Sequence, residues 1–362
     1  MKLFAVIGTR PEAIKMLPLI AALKARQNVR CIVCLTGQHG LLLKNAVGGH
    51  ALRADYDIGL LNDRPTLDGV VSLTVERLTP ILRREAPDAV LVHGDTLSSF
   101  AAALSAFYLH IPIIHIEAGL RTGDLADPFP EESDRVLISR LAALNFAPDR
   151  FAADALGKEN VPGKIFVVGN TISDSLAQNV SESHVFASPE LREILPCERF
   201  AVITAHRREN LGAPLERICL SVIALADEFP DIKFIFPMHP NPAVRDTVLR
   251  LLSGKSNVFP INPLSARDMN NLTFRATVVM TDSGGLSEEA ALMDVPCIVL
   301  REKTERTAFL RQGKLALAGT SADGIADAFR KAVSRPRRAS KPVFDRSVSE
   351  RIADIISDEF KT

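Results

Sequence analysis

The 362 residues are enough for two domains that each bury a core, and 43 basic side chains balance 43 acidic ones. That balance excludes general affinity for nucleic acid or an anionic membrane, so any site for a polyanion must be local. The amino-terminal apolar run is too short for a signal peptide and no later run approaches a membrane span, which leads to the expectation of a soluble cytoplasmic protein.

Five scattered cysteines suggest no disulfide framework. Cys31 and Cys34 have C-x-x-C spacing, but they fall in an apolar strand pattern, Val29 to Leu35, where residues three apart face opposite sides. Buried core thiols are expected rather than a redox or zinc pair. No two histidines sit at ligand spacing beside a carboxylate, so no metal is expected, and no cofactor is implied.

Lys2 to Ile7 reads as a parallel strand covered on both faces, and Gly8-Thr9-Arg10-Pro11-Glu12-Ala13-Ile14-Lys15 as the turn into a helix, with Pro11 in the first turn. Arg10 and Lys15 oppose the dipole at that end unless an anion meets them; an exposed charged helix start is the plain alternative. After the loop Thr36-Gly37-Gln38-His39-Gly40 come a short helix and a longer one from about Thr66 to Arg84. Strand Ala89 to Val92 then meets His93-Gly94-Asp95-Thr96, an Ala-rich helix Ser98 to Leu109 follows, and strand Ile111 to Ile116 ends at Glu117-Ala118-Gly119-Leu120-Arg121-Thr122. Repeated β-α-β with short links predicts a doubly wound parallel sheet, with ligands beyond the carboxyl ends of its strands.

Asp124 to Arg135 is a carboxylate-rich loop entering a helix at Pro130, where Glu131 is either a reactive acid or an ordinary partner of the dipole. Strands near Ala143 to Phe146 and Lys164 to Val168 complete the first domain, 1–169. From Gly169 to His184 the pattern loosens into a candidate linker. A second alternation, 170–345, carries strand Phe200 to Thr204 before His206-Arg207-Arg208-Glu209-Asn210, strand Lys233 to Phe236 before His239, and strand Ala276 to Met280 before Thr281-Asp282-Ser283-Gly284-Gly285-Leu286-Ser287-Glu288-Glu289. Two glycines at a strand-to-helix turn suit a phosphate on the free N–H groups of the first turn; Ser283 or Asp282 as a simple cap is the alternative. His50, His110 and His184 are expected to be surface or satisfied residues. Residues 346–362 form an amphipathic helix expected to cross back to the first domain.

Taken together, Gly8–Lys15, His93–Thr96, His115–Thr122, Pro130–Glu132, Thr204–Asn210 and Asp282–Glu289 resemble, in order, the non-hydrolysing UDP-N-acetylglucosamine 2-epimerases. The resemblance implies an α/β fold of two doubly wound Rossmann-like domains facing across a cleft, the phosphorylase-like glycosyltransferase B fold. It implies a homodimer that takes a UDP-sugar and interconverts UDP-N-acetylglucosamine and UDP-N-acetylmannosamine. It makes Asp95, Glu117, Glu131 and His206 catalytic, Arg10, Lys15, Arg135, Ser283, Gly284, Gly285 and Glu289 substrate-binding, and Gln38, His39, Arg207 and His239 contacts for an activating second nucleotide sugar. Departures from the family pattern include Ser287 in place of Gln, Met269 in place of an aromatic over the uracil, and Thr307-Ala308 in place of Pro-Glu. A relative acting on another UDP-sugar, a glycosyltransferase of the same fold and a binding protein without turnover are the competing readings.

Overall fold

The computed structural model describes residues 1–37, 54–60, 66–195, 199–335, 344–345 and 347–360. It divides into two compact units, Met1–Gln178 with Asp345–Thr362, and Asn179–Phe344. The helix expected after Gly40 lies outside the described residues.

In the first unit seven strands, β1 (Lys2–Ile7), β2 (Arg30–Leu35), β3 (Tyr56–Asp57), β4 (Ala89–His93), β5 (Ile113–Ile116), β6 (Leu144–Ala147) and β7 (Lys164–Val167), form a parallel sheet in the order β3-β2-β1-β4-β5-β6-β7. The chain winds outward from β1 to β3 and returns at β4, so the topological switch point lies between β1 and β4. Successive residues of β1 serve opposite layers: Leu3, Ala5 and Ile7 pack with the helix Arg10–Lys24, while Phe4 and Val6 pack with the helices Leu67–Glu85 and Leu97–Tyr108. Cys31 joins the first layer and Cys34 the second, and burial pushes their thiols up to about 11 and about 12.

The second unit repeats the scheme with β8 (Phe200–Thr204), β9 (Lys233–Pro237), β10 (Val258–Ile261), β11 (Val278–Thr281), β12 (Cys297–Val299) and β13 (Leu315–Leu317), all parallel in the order β10-β9-β8-β11-β12-β13. Its switch point falls between β8 and β11. Phe234, Phe236 and Phe329 fill one layer of its core.

The stretch read as a linker after Gly169 contains a helix, Ile172–Asn179, and the division between units falls later, after Gln178. Its polar residues are tertiary anchors: Ser175 Oγ donates to the Ile14 carbonyl at 2.6 Å, and Asp174 Oδ2 accepts from Ser349 N and Ser349 Oγ at 2.9 and 2.7 Å. Those last bonds hold the start of the carboxy-terminal helix Val348–Glu359, whose Val348, Ile352, Ala353 and Ile356 lie on one face and enter the first unit's core. Ile356→Ala is expected to lower the stability of this unit by about 2–5 kcal/mol, the ordinary cost of an emptied core site. Urea unfolding followed by circular dichroism checks it; a loss under about 1 kcal/mol would mean that the helix contributes little.

Candidate active site

The amino-terminal site begins with a cap. Thr9 Oγ1 accepts from Glu12 N while Glu12 Oε2 accepts from Gly8 N and Thr9 N, both at 2.6 Å, a reciprocal capping box that starts the helix directly beyond β1. Glu12 Oε1 then accepts from Thr96 Oγ1 and Ser99 Oγ across the switch point, tying the turn after β1 to the turn after β4. Burial raises the Glu12 carboxyl and these four donors pull it back. Glu12 is thus a buried architectural carboxylate.

One turn further along, Lys15 pairs with Glu117 Oε2, and Asn170 Nδ2 donates to the same oxygen at 2.5 Å. The Lys15 and Glu117 side chains are only 7% and 8% exposed, so the pair is largely withdrawn from water. Glu117 follows β5 with φ +62°, a left-handed backbone that costs a non-glycine residue of order 1–3 kcal/mol and marks a position held by its surroundings. His93, at the end of β4, places Nε2 3.9 Å from Glu117 Oε2; burial pushes its imidazole down to about 4, so it is neutral at pH 7. His115 is likewise pushed down to about 4 by burial, and its Nε2 carries the hydrogen because its partner, the Gly94 carbonyl at 2.8 Å, can only accept.

Arg135 lies buried on the helix Glu131–Leu141 and joins two carboxylates: Nε and Nη2 donate to Asp95 Oδ2, and Nη1 to Glu132 Oε2 at 2.7 Å. Glu132 Oε1 in turn accepts from Thr122 N and Gly123 N, fixing the loop after β5. Glu131, half-buried, opens the helix. Arg10, expected among the binding residues, is half-buried at the start of the helix beyond β1. The unit therefore gathers Glu117, Lys15, Asp95, Arg135 and His93 at the carboxyl ends of its strands.

The carboxy-terminal unit builds its own cluster at the β8/β11 switch point. Asp282, fully buried, accepts through Oδ2 from His206 N at 2.8 Å, Arg207 N at 2.9 Å and Asn210 Nδ2 at 3.0 Å, while its Oδ1 lies 3.3 Å from His206 Nδ1. One carboxylate thus shapes the loop after β8 and faces its histidine. The His206 and His239 rings stack, centroids 5.1 Å apart and 7° from parallel; burial first, and His206 second, lower the His239 imidazole.

Ser283 caps the helix Gly284–Leu292 by accepting from Leu286 N. A Cβ on Gly284 would sit 2.6 Å from Glu305 Oε1, so any side chain there requires the Glu305 carboxylate to move, whereas Gly285 faces more open space, with Ser283 Oγ as the nearest atom at 3.9 Å. Ser287, unusual for the resemblance, donates its hydroxyl to the Gly284 carbonyl and adds nothing to the open side of the turn. Glu289 Oε2 accepts from Asn270 Nδ2 at 2.9 Å. Gln38 and His39 lie outside the described residues.

The family model described as UDP-N-acetylglucosamine 2-epimerase matches residues 21–357. The chain belongs to the UDP-N-acetylglucosamine 2-epimerase family. It is 38% identical to the UDP-N-acetylglucosamine 2-epimerase of Bacillus subtilis strain 168, covering 98% of this chain and 94% of that protein. The S. aureus MnaA–UDP co-structure superposes with a TM-score of 0.91 at 37% identity, over 99% of this chain and 96% of that one. The UDP-GlcNAc 2-epimerase of Neisseria meningitidis bound to UDP-GlcNAc superposes with a TM-score of 0.89 at 34% identity, over 99% and 100% of the two chains. Each unit of this family member has the glycosyltransferase B type of sheet, and the expectation of two doubly wound units is met. No helix among its described residues is long and apolar enough to cross a membrane.

Several contacts within these clusters are not evident from the sequence. Asn170 looked like linker, yet it holds Glu117. Asp282 looked like a possible cap, but Ser283 makes the cap and Asp282 anchors the preceding loop. Asn270 meets Glu289 from a different helix. For Asp282 the available signal was its place at the start of a quoted motif, and Asn170, outside every such motif, offered none. His184, expected to be surface or satisfied, is satisfied by Asp268 at 2.7 Å.

Proposed function

We propose that the chain interconverts UDP-N-acetylglucosamine and UDP-N-acetylmannosamine by eliminating UDP to a 2-acetamidoglucal and adding it back after the C2 proton returns on the other face. The observation that carries this reading is the set of carboxylates Asp95, Glu117 and Glu131 at the strand ends and helix start of one unit, Glu117 clamped by Lys15 and Asn170 and Asp95 by Arg135. A glycosyl transfer needs no base at C2; removal of that weakly acidic proton does. Family membership and the UDP and UDP-GlcNAc bound in relatives support the substrate.

In the forward direction one of the three carboxylates takes the C2 proton as the bond from C1 to the diphosphate oxygen breaks, and a protonated group returns a proton to C2 before UDP re-adds. The Lys15 ammonium and the Asn170 amide hold Glu117 in one orientation. The departing diphosphate is assigned to Arg10, to His206 and to the N–H groups of Ser283, Gly284 and Gly285, where the helix dipole favours an anion. Glu289, fixed by Asn270, takes the ribose hydroxyls, and Arg135 orients Asp95. Gln38, His39, Arg207 and His239 are assigned to an activating second nucleotide sugar, and the working form to a cytoplasmic homodimer.

Proton NMR of either UDP-sugar incubated with enzyme in deuterium oxide tests the reading. Deuterium is expected at C2 of both epimers, and tight UDP binding without exchange would overturn it.

A further inference from the structure

Asp134 belongs to none of the roles given above. It stands in the first turn of the helix Glu131–Leu141 and is only 4% exposed. Its Oδ2 has no hydrogen-bond partner, and it forms no ion pair among the described residues. The neighbouring guanidinium is committed elsewhere: Arg135 gives Nε and Nη2 to Asp95 and Nη1 to Glu132. The helix Leu97–Tyr108, packed on this one, carries no charged side chain, and β5 presents only His115, which is neutral. The charged groups that Asp134 meets are Asp95, Glu131 and Arg135.

We propose that Asp134 is a positioning residue of the acidic cluster, entering the reaction as a neutral carboxylic acid beside Asp95 and Glu131, and that its ionisation switches the cluster off. This rests on the reading above, which gives proton transfer to those carboxylates. A buried carboxylate that forms no ion pair and whose Oδ2 finds no donor loses more in hydration than the nearby Arg135 charge returns, so the neutral form is favoured. Burial first, then Asp95 and Glu131, push the Asp134 carboxyl up to about 7, against the lowering effect of Arg135. Below about pH 7 the cluster therefore carries a proton on Asp134. Above it, a third negative charge appears among groups that must take up and return a proton.

The test combines a titration with a rate profile. Aspartate labelled with carbon-13 in the carboxyl group is incorporated, and the wild type is compared with Asp134→Asn and Asp95→Asn. One carboxyl signal, absent from Asp134→Asn, is expected to titrate at about pH 7 and to move to lower pH in Asp95→Asn. The C2 exchange rate of the wild type is expected to fall about tenfold per pH unit above that point, as for a single ionisation, and the fall is expected to vanish in Asp134→Asn. If Asp134→Asn fails to fold, the wild-type signal and its shift in Asp95→Asn decide. A signal titrating below about pH 5, in the ordinary aspartate range, or an unchanged alkaline fall in Asp134→Asn, would overturn the role of Asp134 alone. Absence of C2 exchange at every pH in folded enzyme that binds UDP would overturn the epimerase reading, and this one with it.

Discussion

Glu117→Gln is expected to slow C2 proton exchange by about 10²–10⁴-fold, the usual contribution of a positioned acid or base. The substitution keeps the size of the side chain but removes the charge that Lys15 pairs with, in a setting where both side chains are nearly withdrawn from water. The Asn170 amide and the Lys15 ammonium would then compete for one amide oxygen. Asp95→Asn and Glu131→Gln are expected to be similarly impaired, and the variant that loses elimination of UDP from UDP-N-acetylglucosamine together with exchange identifies the base, because the C2 proton must leave for UDP to be eliminated. UDP affinity, measured by calorimetry, is expected to stay within a few-fold in all three, because the assigned phosphate groups Ser283, Gly284 and Gly285 lie on other elements. Wild-type exchange in all three variants would remove the catalytic assignment.

Asp282→Ala is the second large effect. It leaves the backbone N–H groups of His206 and Arg207 without their acceptor, while Asn210 Nδ2 keeps only the Leu300 carbonyl. Two abandoned donors at about 1–3 kcal/mol each imply a loss of about 2–6 kcal/mol from the carboxy-terminal unit. His206 also loses the carboxylate 3.3 Å from its Nδ1, so exchange is expected to fall along with stability. Asp282→Asn, which retains an acceptor oxygen, is expected to recover much of the stability and less of the activity. Thermal unfolding and the His206 ring signals in NMR check the pair; an Ala variant as stable as the wild type would show that water satisfies the loop.

The strands that build the switch points were legible because parallel strands covered on both faces are apolar without interruption, as in Lys2–Ile7 and Phe200–Thr204. The short strands Tyr56–Asp57 and Leu315–Leu317 gave no such signal, since two or three residues carry no period. The helix Ile172–Asn179 was read as linker for a different reason. Ser173, Asp174 and Ser175 are buried where a helix normally shows apolar residues, and Asp174 Oδ2 and Ser175 Oγ are bonded to partners more than a hundred residues away in the chain.

Local spacing by itself determined the alternation of strands and helices, the places where turns meet helix starts, and thus the candidate positions for an anion and for the acids. Only the tertiary structure decided which of those acids are alike. Glu12 became a cap, Glu117 a clamped carboxylate, Asp95 a partner of arginine and Asp134 a buried carboxyl whose Oδ2 meets no donor. The chemical character of a carboxylate is set by the water it loses and the donors it meets, and those donors come from chain segments far apart in sequence.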